Sequence, residues 1–172
     1  MRFVQMLISA GTLILLSACA TQQENVSCVQ RDWYELGRRD GARGATMDRM
    51  EIFERECPSK DWETIYINGR NAGLVDYCAP ENAFELGRMG IAYLYVCPST
   101  IEPAFLSAYR KGQHARKLEM RAKELDARIN SLNEKVGQKF LDEIERHKLT
   151  SELEELRQLR ARNTEELNQI SK

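Results

Sequence analysis

A glycine inside a helix costs about 1 kcal/mol relative to alanine, so a chain that repeats glycine there must need it. This chain repeats it in a recurring frame. Tyr34-Glu-Leu-Gly37-Arg38, Tyr66-Ile-Asn-Gly69-Arg70 and Phe84-Glu-Leu-Gly87-Arg88 each place an aromatic, a glycine three residues on, then an arginine. Two copies continue to a second glycine four positions later, at Gly41 and Gly73, and a weaker copy is Phe105-Leu-Ser-Ala108, followed by Gly112. Small residues four apart share one helical face and admit a second backbone or a ring. The frame therefore predicts short, closely packed helices. Successive copies lie 32, 18 and 21 residues apart, which excludes a solenoid of constant period. Gly37, Gly41, Gly69, Gly73 and Gly87 are read as a packing face, with a ligand face as the alternative. Arg38, Arg70 and Arg88 follow their glycines by one position, at the solvated edge of that face. There they are placed to meet Asp40, Asp76 or Glu85, or an anion held in common.

Start and stop signals divide the frame into four helices. Asp32 caps the first, which runs to about Gly41; Asp48 begins the second, stopped by Cys57-Pro58. Asp61 caps the third, through about Tyr77, and Pro80 opens the fourth, reaching about Ile91. Tyr93 to Val96 is read as a short extended piece. The fold class expected is all-α: a small disulfide-stapled bundle of short Gly/aromatic-rich helices, followed by a long C-terminal coiled-coil-like helix.

The N-terminus sets the compartment. Met1-Arg2 is a short positive start, Met6 to Leu16 is an apolar run too short for a permanent membrane span, and Leu16-Ser17-Ala18-Cys19 ends it. That ending resembles the lipobox of bacterial lipoproteins. The resemblance implies cleavage of a signal peptide over 1–18, lipidation of Cys19, and a membrane partner reached through that lipid. Ala20, where inner-membrane lipoproteins of enterobacterial type carry aspartate, favours the outer membrane, facing the periplasm. Residues 19–30 read as a lipidated flexible tether, 31–112 as the Cys/Gly-rich helical domain and 113–172 as a long charged amphipathic helix. In an oxidising compartment Cys28, Cys57, Cys78 and Cys97 read as two disulfides; the spacing lacks the Cys-x-x-Cys pairs of a zinc site. Of three pairings, Cys28–Cys57 follows if the first two helices form an antiparallel hairpin, and Cys78–Cys97 closes around the fourth helix.

These residues also carry a family resemblance. Trp33-Tyr34-x-x-Gly37-x-x-Asp40-Gly41-x-x-Gly44, Cys57, Tyr66-x-x-Gly69-Arg70-x-x-Gly73-Leu74-x-x-Tyr77-Cys78 and Gly87-x-x-Gly90-x-x-Tyr93-x-x-Val96-Cys97-Pro98 resemble the bacterial "domain of unknown function 2799". Phe105, Tyr109 and Gly112 extend the likeness, which covers about 28–114. It implies a small lipoprotein or secreted protein. It brings no activity and no catalytic residue with it.

After Gly112 the composition changes: residues 113–172 hold 13 basic and 12 acidic side chains, no proline, and one glycine, Gly137. Apolar residues at 118, 122, 125, 129, 132 and 136 form a heptad seam. A second seam, Leu149, Leu153, Leu156, Leu167 and Ile170 with Arg160 and Asn163 between, is three residues out of register, and Phe140, Leu141 and Ile144 cover the join. Two shapes fit, a straight helix pairing with another chain or a hairpin folding back near His147–Ser151. The lack of glycine or proline at that turn favours the straight form.

Chemistry is not signalled. The exported part has 24 basic and 26 acidic side chains once Arg2 is removed, and no clustered basic surface, which argues against nucleic acid. His114 and His147 have no nucleophile or metal-ligand set near them in sequence, and no cofactor motif is present. The expected function is a non-enzymatic interaction or assembly module without metal or cofactor. Its partner would be itself or another envelope protein, met through residues 118–170. The alternatives are a peptidoglycan or ligand-binding module, to which Lys172 adds a weak hint, and an unrecognised hydrolase using Asp40, Asp48 or Asp76.

Overall fold

A computed structural model describes residues 27–170. The expected leader 1–18, the lipidated Cys19, most of the tether and Lys172 lie outside the described residues. The chain divides into two units after Arg31. In the first, the Gln30 N–H donates to the Ser27 carbonyl at 3.0 Å, closing a turn. Apart from Cys28, everything below concerns the second unit, residues 32–170.

It is all-helical among the described residues: α1 (Trp33–Ala42), α2 (Arg49–Glu56), a 3₁₀ turn (Lys60–Trp62), α3 (Glu63–Tyr77), α4 (Pro80–Met89), α5 (Glu102–Val136) and α6 (Glu143–Ile170). Asp32 caps α1 as expected, its Oδ1 accepting from the Glu35 N–H at 2.9 Å. Asp61 does not cap α3. Its carboxylate accepts from the Ser59 hydroxyl at 2.9 Å within the 3₁₀ turn, and Trp62 leads into the helix instead. Pro80 opens α4, which stops at Gly90, short of Ile91. Gly90 takes φ +76°, the left-handed helix cap that a side chain resists. Residues 91–97 are irregular, not the short extended piece the sequence suggests.

The glycine frame sets the packing. A Cβ built on Gly37 would lie 2.1 Å from the Tyr66 carbonyl oxygen, and one on Gly69 would lie 2.0 Å from that of Tyr34. A Cβ on Gly41 would lie 2.1 Å from the Arg70 carbonyl oxygen, and one on Gly73 2.0 Å from that of Arg38. Each glycine thus faces the carbonyl of the residue three before its opposite number. The register advances in the same sense along both helices, so α1 and α3 run parallel, related by a local pseudo-two-fold. The same device joins α4 and α5: a Cβ on Gly87 would lie 2.1 Å from the Tyr109 carbonyl oxygen, and one on Gly112 1.9 Å from that of Phe84. The fourth copy of the frame is therefore Tyr109-x-x-Gly112, and not Phe105-x-x-Ala108. Close backbone contact of this kind gains dispersion and Cα–H···O contacts that a larger side chain would forbid.

This arrangement corrects one expectation. α1 does not form an antiparallel hairpin with α2; it pairs with α3, and α2 lies within the crossover a parallel pair requires. Cys28 and Cys57 are each disulfide-bonded. Cys78 and Cys97 are joined to one another across a Cα separation of 5.8 Å, pinning the end of α3 to the loop before α5.

Two aromatic cores flank the glycine contacts. Trp33 stacks on Trp62 at 4.7 Å, with Phe53 edge-on to both and to Tyr66. The second core gathers Leu74, Tyr77, Ala83, Tyr93, Phe105 and the Cys78–Cys97 bridge. A third lies in the tail. Leu125 and Leu132 of α5 pack against Leu153 and Leu156 of α6, so the two seams cover each other in an antiparallel hairpin. The straight form that the sequence favours is thus overturned: the turn occupies 137–142, with Gly137 capping α5, about ten residues before the bend of the alternative hairpin. The register slip between the seams is that turn.

Candidate functional site

The face singled out from the sequence is a packing face. Gly37, Gly41, Gly69, Gly73 and Gly87 each abut a carbonyl of the neighbouring helix, which leaves no room for a ligand. The three arginines do not converge. Arg38 is exposed and forks onto Glu35, Nε at 2.7 Å and Nη2 at 2.9 Å. Arg88 reaches Glu119 on α5 at 2.7 Å, with Glu85 at 3.7 Å. Arg70 is not at a solvated edge: it is 7% exposed and donates through Nη2 to the Ala45 carbonyl at 2.8 Å. Its position one residue past Gly69 turns it into the gap between α1 and α3, where the crossover loop closes over it.

Asp40, which the sequence offered as a catalytic alternative, is 2% exposed. Its Oδ2 accepts from the Tyr66 hydroxyl at 2.9 Å, and Oδ1 binds the Arg49 guanidinium. Burial, with the Asp40 carboxylate beside it, pushes the Tyr66 hydroxyl up to about 12. A carboxylate with both oxygens engaged and no solvent contact is a latch between α1, α2 and α3, and a poor general base. Asp48 is exposed and accepts from the Thr46 hydroxyl at 2.8 Å; Asp76 is exposed on α3. Among the described residues no group of three His, Cys, Asp or Glu side chains is placed to hold a metal ion. Arg49, which completes the latch, carries no sequence signal that would single it out from its charged neighbours.

The irregular segment after α4 is more unusual. Tyr95 takes φ +56°, the left-handed region that bulky residues avoid, and it is 78% exposed. The segment is nonetheless tightly held. The Ile91 N–H donates to the Leu86 carbonyl at 2.9 Å, and the Tyr109 hydroxyl donates to the Ile91 carbonyl at 2.7 Å. The Tyr93 hydroxyl donates to Glu102 at 2.8 Å and accepts from the Cys97 N–H at 3.1 Å. Burial, offset in part by the Cys97 amide, brings that hydroxyl to about 12. Between this segment and α5 opens a cleft of about 420 Å³, lined by Tyr93, Tyr95, Leu106, Tyr109, Arg110 and Gln113.

The tail presents a different surface. The seam proposed for a partner, residues 118–170, is covered from within: Leu118, Ala122, Leu125, Leu132, Leu153 and Leu156 are buried. Cross-links tie its flanks, Arg160 to Asp126 at 2.8 Å, Arg128 to Glu152 at 2.7 Å and His114 to Glu166 at 2.9 Å. Asn163 is buried in the seam and donates to the Leu118 carbonyl at 3.0 Å. Association through residues 118–170 must then use what the hairpin leaves outside. At its turn Phe140 is fully exposed and Ile144 nearly so. No helix among the described residues is long and apolar enough to cross a membrane.

Residues 32–114, from the cap of α1 to the first third of α5, match the family described as protein of unknown function, DUF2799. No curated protein and no solved structure matches the chain.

Proposed function

We propose that this member of the DUF2799 family is a non-enzymatic envelope lipoprotein, held to the membrane by lipid on Cys19 and meeting a protein partner through its C-terminal hairpin. The observation that carries the reading is the pairing of a self-covered seam with an apolar turn. A stripe buried in its own chain gives a stiff arm that needs no second copy to fold. Phe140 and Ile144 at the end of that arm are large apolar side chains left in water, which is where an interface would gain most from burial. The lipid-bearing end is read from the sequence, and periplasmic location agrees with the disulfide-bonded cysteines. The hydrolase alternative gains nothing from Asp40, whose oxygens are engaged.

The test is photo-crosslinking in living cells, with the crosslinker at Phe140 or Ile144 and, for comparison, at Leu125 or Leu132. A discrete adduct with one envelope protein from the turn positions, and none from the seam positions, is expected. Adducts from the seam and not from the turn would overturn the reading. Lipidation is checked separately by metabolic labelling with palmitate, which Cys19→Ala should abolish.

A further inference from the structure

We propose that the cleft between residues 91–97 and α5 binds a sugar ring bearing a carboxylate, the chemistry of cell-wall glycan. Three observations converge on it. Tyr95 holds a left-handed backbone while its ring stands 78% exposed, so the fold maintains an unfavourable conformation in order to keep an aromatic face in water. The segment carrying it is fixed at both ends, by the hydrogen bond from the Ile91 N–H to the Leu86 carbonyl and by the Cys78–Cys97 bridge, so the ring is presented on a preorganised support. The polar groups of the cleft divide cleanly. The Tyr93 and Tyr109 hydroxyls are turned inward onto Glu102 and Ile91, whereas Arg110 and Gln113 make no side-chain hydrogen bond or ion pair within the described residues.

What remains on offer is the exposed ring of Tyr95, with Leu106 half-buried and the buried Tyr93 behind them at the cleft wall, beside one uncommitted guanidinium and one uncommitted amide. A pyranose ring matches that pattern. Its axial C–H face packs on aromatic rings, its hydroxyl and acetamido groups suit the Gln113 amide, and a carboxylate suits Arg110, whose fork binds it in a bidentate manner. An extended peptide is less suited. It is recognised chiefly through free main-chain groups of a strand edge, and the described residues contain no strand.

The test uses the full chain in detergent micelles, with ¹³C-labelled tyrosine rings followed by NMR. The probe is the disaccharide of N-acetylglucosamine and N-acetylmuramic acid. Its carboxyl-reduced form and the wall stem peptide alone serve as comparisons. Saturable shifts of Tyr93, Tyr95 and Tyr109 are expected with the disaccharide at sub-millimolar concentration. The reduced sugar should bind at least ~5-fold more weakly, as expected for loss of one charged hydrogen-bonded contact, and the peptide should not bind. Tyr95→Gly removes the ring and relieves the backbone, so it should melt no lower than the parent chain while losing binding. Arg110→Ala should bind the acidic and reduced sugars alike. No saturable shift up to ~10 mM, a range already weaker than useful recognition, would overturn the proposal. So would equal affinity for the reduced sugar in the parent chain, binding of the stem peptide alone, or undiminished binding by Tyr95→Gly.

Discussion

Gly37→Ala isolates the parallel glycine contact from everything else in the domain. In a free helix the change is favourable by about 1 kcal/mol. Here the new methyl carbon would sit 2.1 Å from the Tyr66 carbonyl oxygen and 2.9 Å from the Arg70 nitrogen. Both are backbone atoms in the middle of α3, so no side chain can turn aside. Ordinary contact begins at 3.4 Å, which requires α1 and α3 to separate by more than 1 Å. A gap of that size forfeits about half or more of the dispersion energy of the contacts it opens. It also loosens Tyr66 and Leu74, which are buried on the same face. Overpacking of this sort costs about 1–3 kcal/mol, and here the reciprocal Gly69 contact is disturbed as well. A net loss of about 2 kcal/mol is expected after the helix-propensity gain. That corresponds to a melting point lower by about 6 °C for a unit of this size. Gly137→Ala is the matched control. Its Cβ meets nothing closer than 3.4 Å and its φ is an ordinary −71°, so it should be neutral or stabilising by up to about 1 kcal/mol. The assay is urea unfolding followed by circular dichroism with disulfides intact. A Gly37→Ala midpoint equal to or above that of the parent would refute the parallel-pair argument.

Three further outcomes are expected. Replacing Cys78 and Cys97 by serine opens a loop of 19-residue separation, which should cost about 3 kcal/mol by thermal or urea unfolding, and non-reducing peptide maps of the parent should also show Cys28 joined to Cys57. Tyr66 and Tyr93 are both pushed up to about 12 from an ordinary 10, so their folded state keeps the phenolic proton that the unfolded state releases. The stability this contributes, at most about 2–3 kcal/mol for each, is complete below pH 10 and lost between pH 10 and 12; unfolding midpoints should fall across that window as tyrosinate absorbance rises, and a flat profile would show both hydroxyls to be in water. Asn163→Leu removes a buried amide whose oxygen has no partner, so the hairpin should gain about 1 kcal/mol while losing its register; sedimentation should then reveal self-associated species that the parent lacks.

The sequence carried the helices and their glycine frame well, because caps, prolines and periodicity are local signals. It carried the geometry less well. Nothing local distinguishes a parallel pair from an antiparallel one. The reciprocity of Gly37 with Gly69 fixes the sense, and that is visible only once both backbones are in place. Tyr109-Arg-Lys-Gly112 has the aromatic-x-x-Gly form, although Gln113 stands where the other copies carry arginine. The hairpin turn is hard to place from sequence because Gly137 stands alone in an otherwise unbroken helical pattern. The three-residue slip between the seams was its trace, since two facing stripes need not share a register across a turn. The tyrosine cleft left almost no signal: a left-handed tyrosine has no composition of its own, and Arg110 and Gln113 are ordinary helix-surface residues until the preceding loop folds over them.

One consequence of α5 is mechanical. It is a single helix of 35 residues, about 52 Å long, that begins in the bundle and ends at the turn bearing Phe140. A load applied at that end is carried by the whole rod, since no proline or glycine after Gly112 gives it a hinge before Gly137. At the near end the rod bears on α4 through Gly87 and Gly112, where bare backbones touch and no rotamer change can absorb a displacement. Arg116 adds a clamp there, its guanidinium donating to the Met89 carbonyl at 2.8 Å at the last turn of α4. Torque at the tip is therefore delivered to the end of α4, from which residues 91–97 depart, and a pull on the arm would reshape the ground on which Tyr95 stands.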